Sequence, residues 1–307
     1  MAGSKWIRFG GMCVAVLGLT VLDSVTGLAQ EEGYTFESVA ISGATFTGVA
    51  AITPDRRVVG YFRNASGFHG FVLVDGEMTE LNVPVPGARG TIPFGMNGAG
   101  DVVGFFFDAQ LAQHGFLWPA HGDFTVIDGP GAFRTNAHGI NAAGDVVGHY
   151  DVSTGDRRRG FLRDRSGTIT TIDLDNATGV APNGTWGNWI NNRGDIVGTF
   201  FDGSIHGYLL SSGTTTQLDV PFPGVTETQA WGMNSQGDIV GQYTAGGRTM
   251  PFKRDRHGNY ESLDIPELAA APVVSAFSIN PSGDIVGQYT AGGVTRGFVL
   301  YRTTQTP

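Results

Sequence analysis

The chain has 307 residues, 48 of them glycine, with 41% hydrophobic and 15% charged side chains and 28 acidic against 19 basic groups. The acidic balance argues against a nucleic-acid partner, whose phosphates demand a basic face, and against adhesion to anionic membranes. Glycine is about twice its usual share but lacks a three-residue period, which excludes a collagen and implies tight turns and close strand approaches.

Residues 1–29 have the layout of a secretory signal peptide. Lys5 and Arg8 give a positive start, FGGMCVAVLGLTVL is an apolar run, and Gly27 and Ala29 supply the small residues of a cleavage site after Ala29. The run of roughly 14 apolar residues is short of the about 20 that span a membrane, so no membrane insertion is expected. Cys13, the only cysteine, lies in this segment. The mature chain, 30–307, is then expected to be secreted, periplasmic or extracellular, and without disulfide, thiolate ligand or cysteine nucleophile. Its balance is 17 basic against 27 acidic residues.

Beyond residue 40 one unit recurs. The glycine of VVG or IVG falls at Gly60, Gly104, Gly148, Gly198, Gly241 and Gly287, at spacings of 43 to 50 residues. Two residues on stands an aromatic: Phe62, Phe106, Tyr150, Phe200, Tyr243 or Tyr289. A second aromatic follows at Phe71, Phe116, Phe161, Tyr208, Phe252 and Phe298, preceded by glycine except at Pro251. The period inside each copy is that of strands, with both faces largely apolar. In the fourth copy the first strand ends at Ile190, DIVGTFF is the second, HGYLL the third and TTQLDV the fourth. NNRGD and SSGT are tight turns in which glycine supplies positive φ.

Four-stranded units repeating about every 44 residues are the mark of a β-propeller. The sixth copy stops without a fourth strand, and an orphan segment, YTFESVAI (34–41), precedes the first copy. The expected fold is therefore an all-β, six-bladed propeller forming one domain over 30–307, with the N-terminal strand completing blade six and closing the ring.

The pattern resembles the HAF-repeat family of secreted bacterial proteins. The resemblance rests on His69-Gly70-Phe71, His114-Gly115-Phe116 and His206-Gly207-Tyr208, with GINAAGDVVG and MNSQGDIVG before them, and it spans the mature chain. The triplet is altered to RGF, MPF and RGF in blades three, five and six. The resemblance implies extracellular placement and a propeller-like repeat; it brings no catalytic residues.

A residue present in every blade most simply serves the blade, whereas a single site should use residues that break the pattern. By that argument the GD aspartates (Asp101, Asp145, Asp195, Asp238, Asp284) and the asparagines four residues before them are turn-builders. The triplet histidines either clamp a hairpin mouth or, beside Asp108 and Asp202, orient a general base. The departures fall in blades three and four: His149, the basic run Arg157-Arg158-Arg159, and the long 173–189 segment with Trp186 and Trp189, near Trp231 and His138. Tryptophan beside arginine suits a sugar or an acidic ligand. The leading expectation is a monomeric, non-enzymatic binding module for a glycan or surface protein, using Trp186, Trp189, Trp231, Arg157 and Arg159, with no metal or cofactor. The alternative is a hydrolase or lyase at the central channel mouth using His138, His149 and Asp151. No nucleophile elbow, phosphate loop or zinc-binding HExxH is present.

Overall fold

The computed structural model describes residues 8–9, 12–13, 33–153, 158–174 and 184–303. The expected signal peptide falls outside them, apart from Arg8–Phe9 and Met12–Cys13, which pair with each other. Arg157 and the middle of the long 173–189 segment also lie outside the described residues. The described chain is all-β, with one short 3-10 turn at Pro266–Leu268 and no α-helix. None of its helices is long and apolar enough to cross a membrane.

The strands assemble into four-stranded antiparallel units. The first is Phe46–Ile52, Val58–Asn64, Gly67–Val74 and Glu77–Leu81. The second is Thr91–Met96, Val102–Phe107, Gln113–Trp118 and Thr125–Ile127. The third is Arg134–Ile140, Val146–Asp151, Arg159–Arg163 and Ile169–Ile172. The fourth is Gly184–Ile190, Ile196–Phe201, Ile205–Ser211 and Thr214–Leu218. The fifth is Val225–Met233, Ile239–Ala245, Arg248–Arg254 and Tyr260–Ser262. In the sixth, Val273–Ile279, Ile285–Ala291 and Val294–Arg302 are joined by Tyr34–Val39 from the other end of the chain.

The recurring glycine and the second recurring aromatic are two halves of one device. Gly198 lies directly opposite Tyr208 across the second and third strands, as Gly60 lies opposite Phe71 and Gly287 opposite Phe298. A Cβ on Gly198 would come within 1.9 Å of the Trp186 carbonyl oxygen and 2.5 Å of the Tyr208 ring. The missing side chain lets the ring lie flat across the second strand, and Tyr208 and its five counterparts are fully buried. Each such ring contributes roughly 1.5–3 kcal/mol of burial, so the glycine's entropic cost is more than offset.

The turns between first and second strands carry the other repeated pair. Asn191 Oδ1 accepts hydrogen bonds from the backbone N–H groups of Arg193 and Asp195, at 2.8 and 3.0 Å, and its Nδ2 donates to Asp195 Oδ2 at 2.9 Å. The same amide reaches between units: Asn97 donates to the carbonyl of Asn141 (3.1 Å), Asn234 to that of Asn280 (3.4 Å), and Asn280 to that of Thr53 (3.2 Å). Further links tie neighbouring units together. Arg57 donates to the Gly98 carbonyl, Arg193 to that of Ser235, and Arg56 grips Asp284 through two bonds of 2.9 and 3.2 Å. At the opposite end of the strands, single parallel bridges join a third strand to the first strand of another unit, as in Gln113 with Arg134, Thr249 with Val273 and Thr295 with Phe46.

Candidate functional site: a cavity walled by bulged residues

All six first strands carry a β-bulge at the same place, shown by register shifts at 49/51, 93/95, 137/139, 187/189, 230/232 and 276/278. A bulge inserts one residue that has no opposite number and re-aims its side chain. The residues so displaced are Ala50, Phe94, His138, Asn188, Trp231 and Phe277, and all six line one cavity of about 370 Å³. That volume lies in the range of small-molecule sites, roughly 300–1,000 Å³. Second-strand side chains Tyr61, Gln242 and Gln288 complete the wall, with Ser275 and Val273 leading up to the start of the sixth unit's first strand.

Trp189 also lines the cavity, but as a departure of another kind. Its counterparts are Ala51, Gly95, Gly139, Gly232 and Ser278, small because neighbouring first strands approach closely there: a Cβ on Gly95 would lie 2.4 Å from the His138 carbonyl oxygen. Trp189 instead packs against two separate core clusters, one containing Ala51 and Met96 and the other Ala230 and Met233.

The upper wall is aromatic. His138 stacks on Phe94 (centroids 4.6 Å apart) and on Trp231 (6.2 Å), and Trp231 meets Phe277 edge-on at 5.3 Å. Burial, with a smaller contribution from Arg158, holds the His138 imidazole down at about 3, so it is neutral at ordinary pH. His149, 5.0 Å from His138, is pushed well below its ordinary range by burial first and then by His138, Arg158 and Arg134. Burial also pushes Tyr61 up to about 12.

The wall also holds polar atoms without partners among the described residues: Trp231 Nε1, Asn188 Oδ1 and Gln288 Oε1, with His149 Nδ1 behind them. The Asn188 amide is oriented by its own donations, to the Ala230 carbonyl at 2.8 Å and to Thr199 Oγ1 at 3.0 Å. His149 Nε2 lies 2.8 Å from Asn136 Nδ2, whose amide oxygen accepts from Gln113. Buried polar atoms are nearly always paired, so several orphans in one wall mark it as a place for hydrogen-bonding chemistry.

Arg134 holds the register position that the cavity-lining Val273 holds in the sixth unit, and opposite it Asp151 is fully buried between two arginines. Arg134 Nε donates to Asp151 Oδ2, and Arg158 Nε lies 3.8 Å from Asp151 Oδ1. The Arg158 guanidinium lies over the Trp186 ring at 5.1 Å, and Trp186 meets His149 edge-on at 6.2 Å. The two sets of residues suggested by the sequence therefore share one place: His138, Trp189 and Trp231 line the cavity, and His149, Trp186 and Asp151 stand beside it. Arg159 is elsewhere, on the third strand opposite Tyr150, where other units carry the triplet histidine.

Those histidines are held at hairpin mouths on third strands, two strands away from the bulged residues of the cavity wall. His206 stacks on Phe200 (5.2 Å) and lies between Asp219 (2.8 Å) and Asp202 (3.4 Å). His114 sits likewise over Phe106, between Asp128 and Asp108, and His69 over Phe62 beside Glu80 and Ser66. Among the described residues no group of three or more His, Cys, Asp or Glu is arranged to hold a metal ion. The sequence reading missed Phe94, Asn188, Phe277, Tyr61 and Gln288. For Phe94, Asn188 and Phe277 a signal was available: the bulged position differs between almost all copies, while the residue two positions on is Ile or Met in every copy.

No protein-family model matches the chain, and no curated protein matches it. Among solved structures it is similar to AofleA from Arthrobotrys oligospora, at 13% identity and TM-score 0.52 over 92% of this chain and 93% of that one. TolB from Acinetobacter baumannii is similar at 14% identity and TM-score 0.52, over 80% of this chain and 64% of that one. A variant of the Aleuria aurantia lectin in complex with Fucα1-6GlcNAc is similar at 12% identity and TM-score 0.50, over 86% and 99%. At these identities the likeness speaks to the fold, which is propeller-like.

Proposed function

We propose that the chain is a secreted, non-enzymatic six-bladed β-propeller of the HAF-repeat kind, one domain over 30–307, that binds a glycan in its central cavity. A closed ring is supported by the pairing of Tyr34–Val39 with Val294–Arg302, by the Thr295–Phe46 bridge, and by the bonds from Asn280 to Thr53 and from Arg56 to Asp284. The observation that carries the binding reading is the cavity wall, where aromatic faces (Phe94, Trp231, Phe277) alternate with unpartnered donors and acceptors (Trp231 Nε1, Asn188 Oδ1, Gln288 Oε1). A sugar ring offers the matching surface, apolar C–H faces edged by hydroxyls. That a lectin shares the fold adds support, although fold does not dictate function.

A hydrolase or lyase using His138, His149 and Asp151 has less behind it. Both imidazoles are held neutral, His138 is stacked between rings, and Asp151 is engaged by arginines rather than orienting a histidine.

A glycan array probed with the purified chain, followed by calorimetry on any ligand found, tests the proposal. Trp231→Ala should weaken binding by roughly tenfold or more, while His206→Ala, on the third strand, leaves it unchanged. A blank array, or a Trp231→Ala variant that binds as well as the native chain, would overturn it.

A further inference from the structure

Resting on that reading, we infer that the ligand is an acidic glycan, whose carboxylate sits on Arg134 and Arg158 at the rim while the rest of the molecule enters the cavity. Two guanidiniums converge on one carboxylate. Asp151 has about four acceptor positions, whereas two arginines bring about ten N–H donors, so it cannot exhaust them. It also leaves one positive charge uncompensated within the trio. The Asp151 side chain is only 1% exposed, but those of Arg134 and Arg158 are 39% and 38% exposed, so the acid anchors the pair from behind while the cations face solvent.

The pair is also fixed in direction and joined to the cavity. Arg158 lies over Trp186, Trp186 meets His149, and His149 lies beside His138 on the cavity wall. A rigid planar cation on an aromatic face is pre-organised for a carboxylate, and a second arginine beside it permits a two-pronged grip. The register position of Arg134 is not basic in every unit. Glu227, on the first strand of the fifth unit, accepts a hydrogen bond from Thr244 at 3.3 Å. An acidic ligand is therefore drawn to the side of the third unit, in a chain that is acidic as a whole.

The test is an array of matched pairs, each uronic-acid oligosaccharide beside its carboxyl-reduced form, read with the native chain and with Arg158→Gln and Arg134→Gln. Melting curves establish that the variants fold, and Arg158→Lys, which keeps the charge, serves as a second variant. The native chain should bind acidic members roughly tenfold more tightly than their reduced partners, the change expected for one charge-assisted hydrogen bond. That preference should fall with added salt, vanish in Arg158→Gln and survive in part in Arg158→Lys. Equal binding of acidic and reduced forms overturns the inference and leaves glycan binding standing, as does a preference that persists in folded Arg158→Gln. If no member of either kind binds, both proposals fall.

Discussion

The Trp231 indole lies nearly parallel to the His138 imidazole, with centroids 6.2 Å apart and planes at 15°, although these residues belong to the fifth and third units. They meet because the bulged residue of the fourth unit is Asn188, whose short side chain is turned toward Ala230 and Thr199. A ring at position 188 would stand between them. The identity of one bulged residue thus decides which others touch.

His138 should make the fold acid-sensitive. Its imidazole titrates at about 3 in the folded chain and near 6.5 when unfolded, so below the latter value the unfolded state binds a proton that the folded state refuses. Stability is complete above about pH 6.5 and drains away as pH falls toward 3. Between about pH 7 and 4.5 this residue alone should cost about 2–3 kcal/mol. His138→Phe, which copies Phe94 and Phe277, should fold and shrink the difference between urea unfolding curves at the two pH values by that amount. An unchanged difference would mean the neutral imidazole is not the cause.

Two glycines should differ sharply in their tolerance of alanine. A Cβ on Gly198 would meet the Trp186 carbonyl at 1.9 Å, whereas one on Gly98 finds nothing within 4 Å. Gly198→Ala is expected to lose about 3 kcal/mol or more through overpacking, and Gly98→Ala to stay within about 0.5 kcal/mol of the native chain. Chemical denaturation of both variants checks this.

Asn191→Ala should lose about 2–4 kcal/mol, because it strips partners from two backbone N–H groups and from Asp195 in a turn whose Asn191 and Asp195 are buried. Binding per folded molecule should not change, since the turn is not among the residues walling the cavity. Reduced affinity in the folded variant would give these turns more than a structural role.

Asp151→Ala leaves Arg134 and Arg158 facing each other. The expected loss is about 2–3 kcal/mol, below that of a fully buried pair because both guanidiniums keep more than a third of their exposure. Asp151→Asn, which retains an acceptor, should lose less, and thermal melting distinguishes the two.

Much of the fold could be read from the residues. The spacing of Gly60 through Gly287, the aromatics opposite them and the Asn–Asp turns mark out strands and hairpins, because these are local demands of backbone geometry. The site was harder. His138, Trp189 and Trp231 stood out as oddities in a repeat. That they share one cavity with Phe94, Asn188 and Phe277 depends on a bulge in every first strand, and a bulge is a property of two strands in register, invisible in either alone. The partnership of Asp151 with Arg134 is likewise a contact across strands. Arg159 belongs to the same basic run, but it starts the third strand opposite Tyr150, whereas Arg158, just before that strand, bridges to Gly184.

The pairing of Tyr34–Val39 with Val294–Arg302, sealed by a 2.9 Å hydrogen bond between Ser38 and Tyr289, joins residues 251 positions apart. During synthesis the segment made early therefore waits, its edge unmatched, until almost everything after it has left the ribosome. Such a fold is completed late and all at once. The chain's greatest exposure to mispairing falls in the interval before its two distant strands meet.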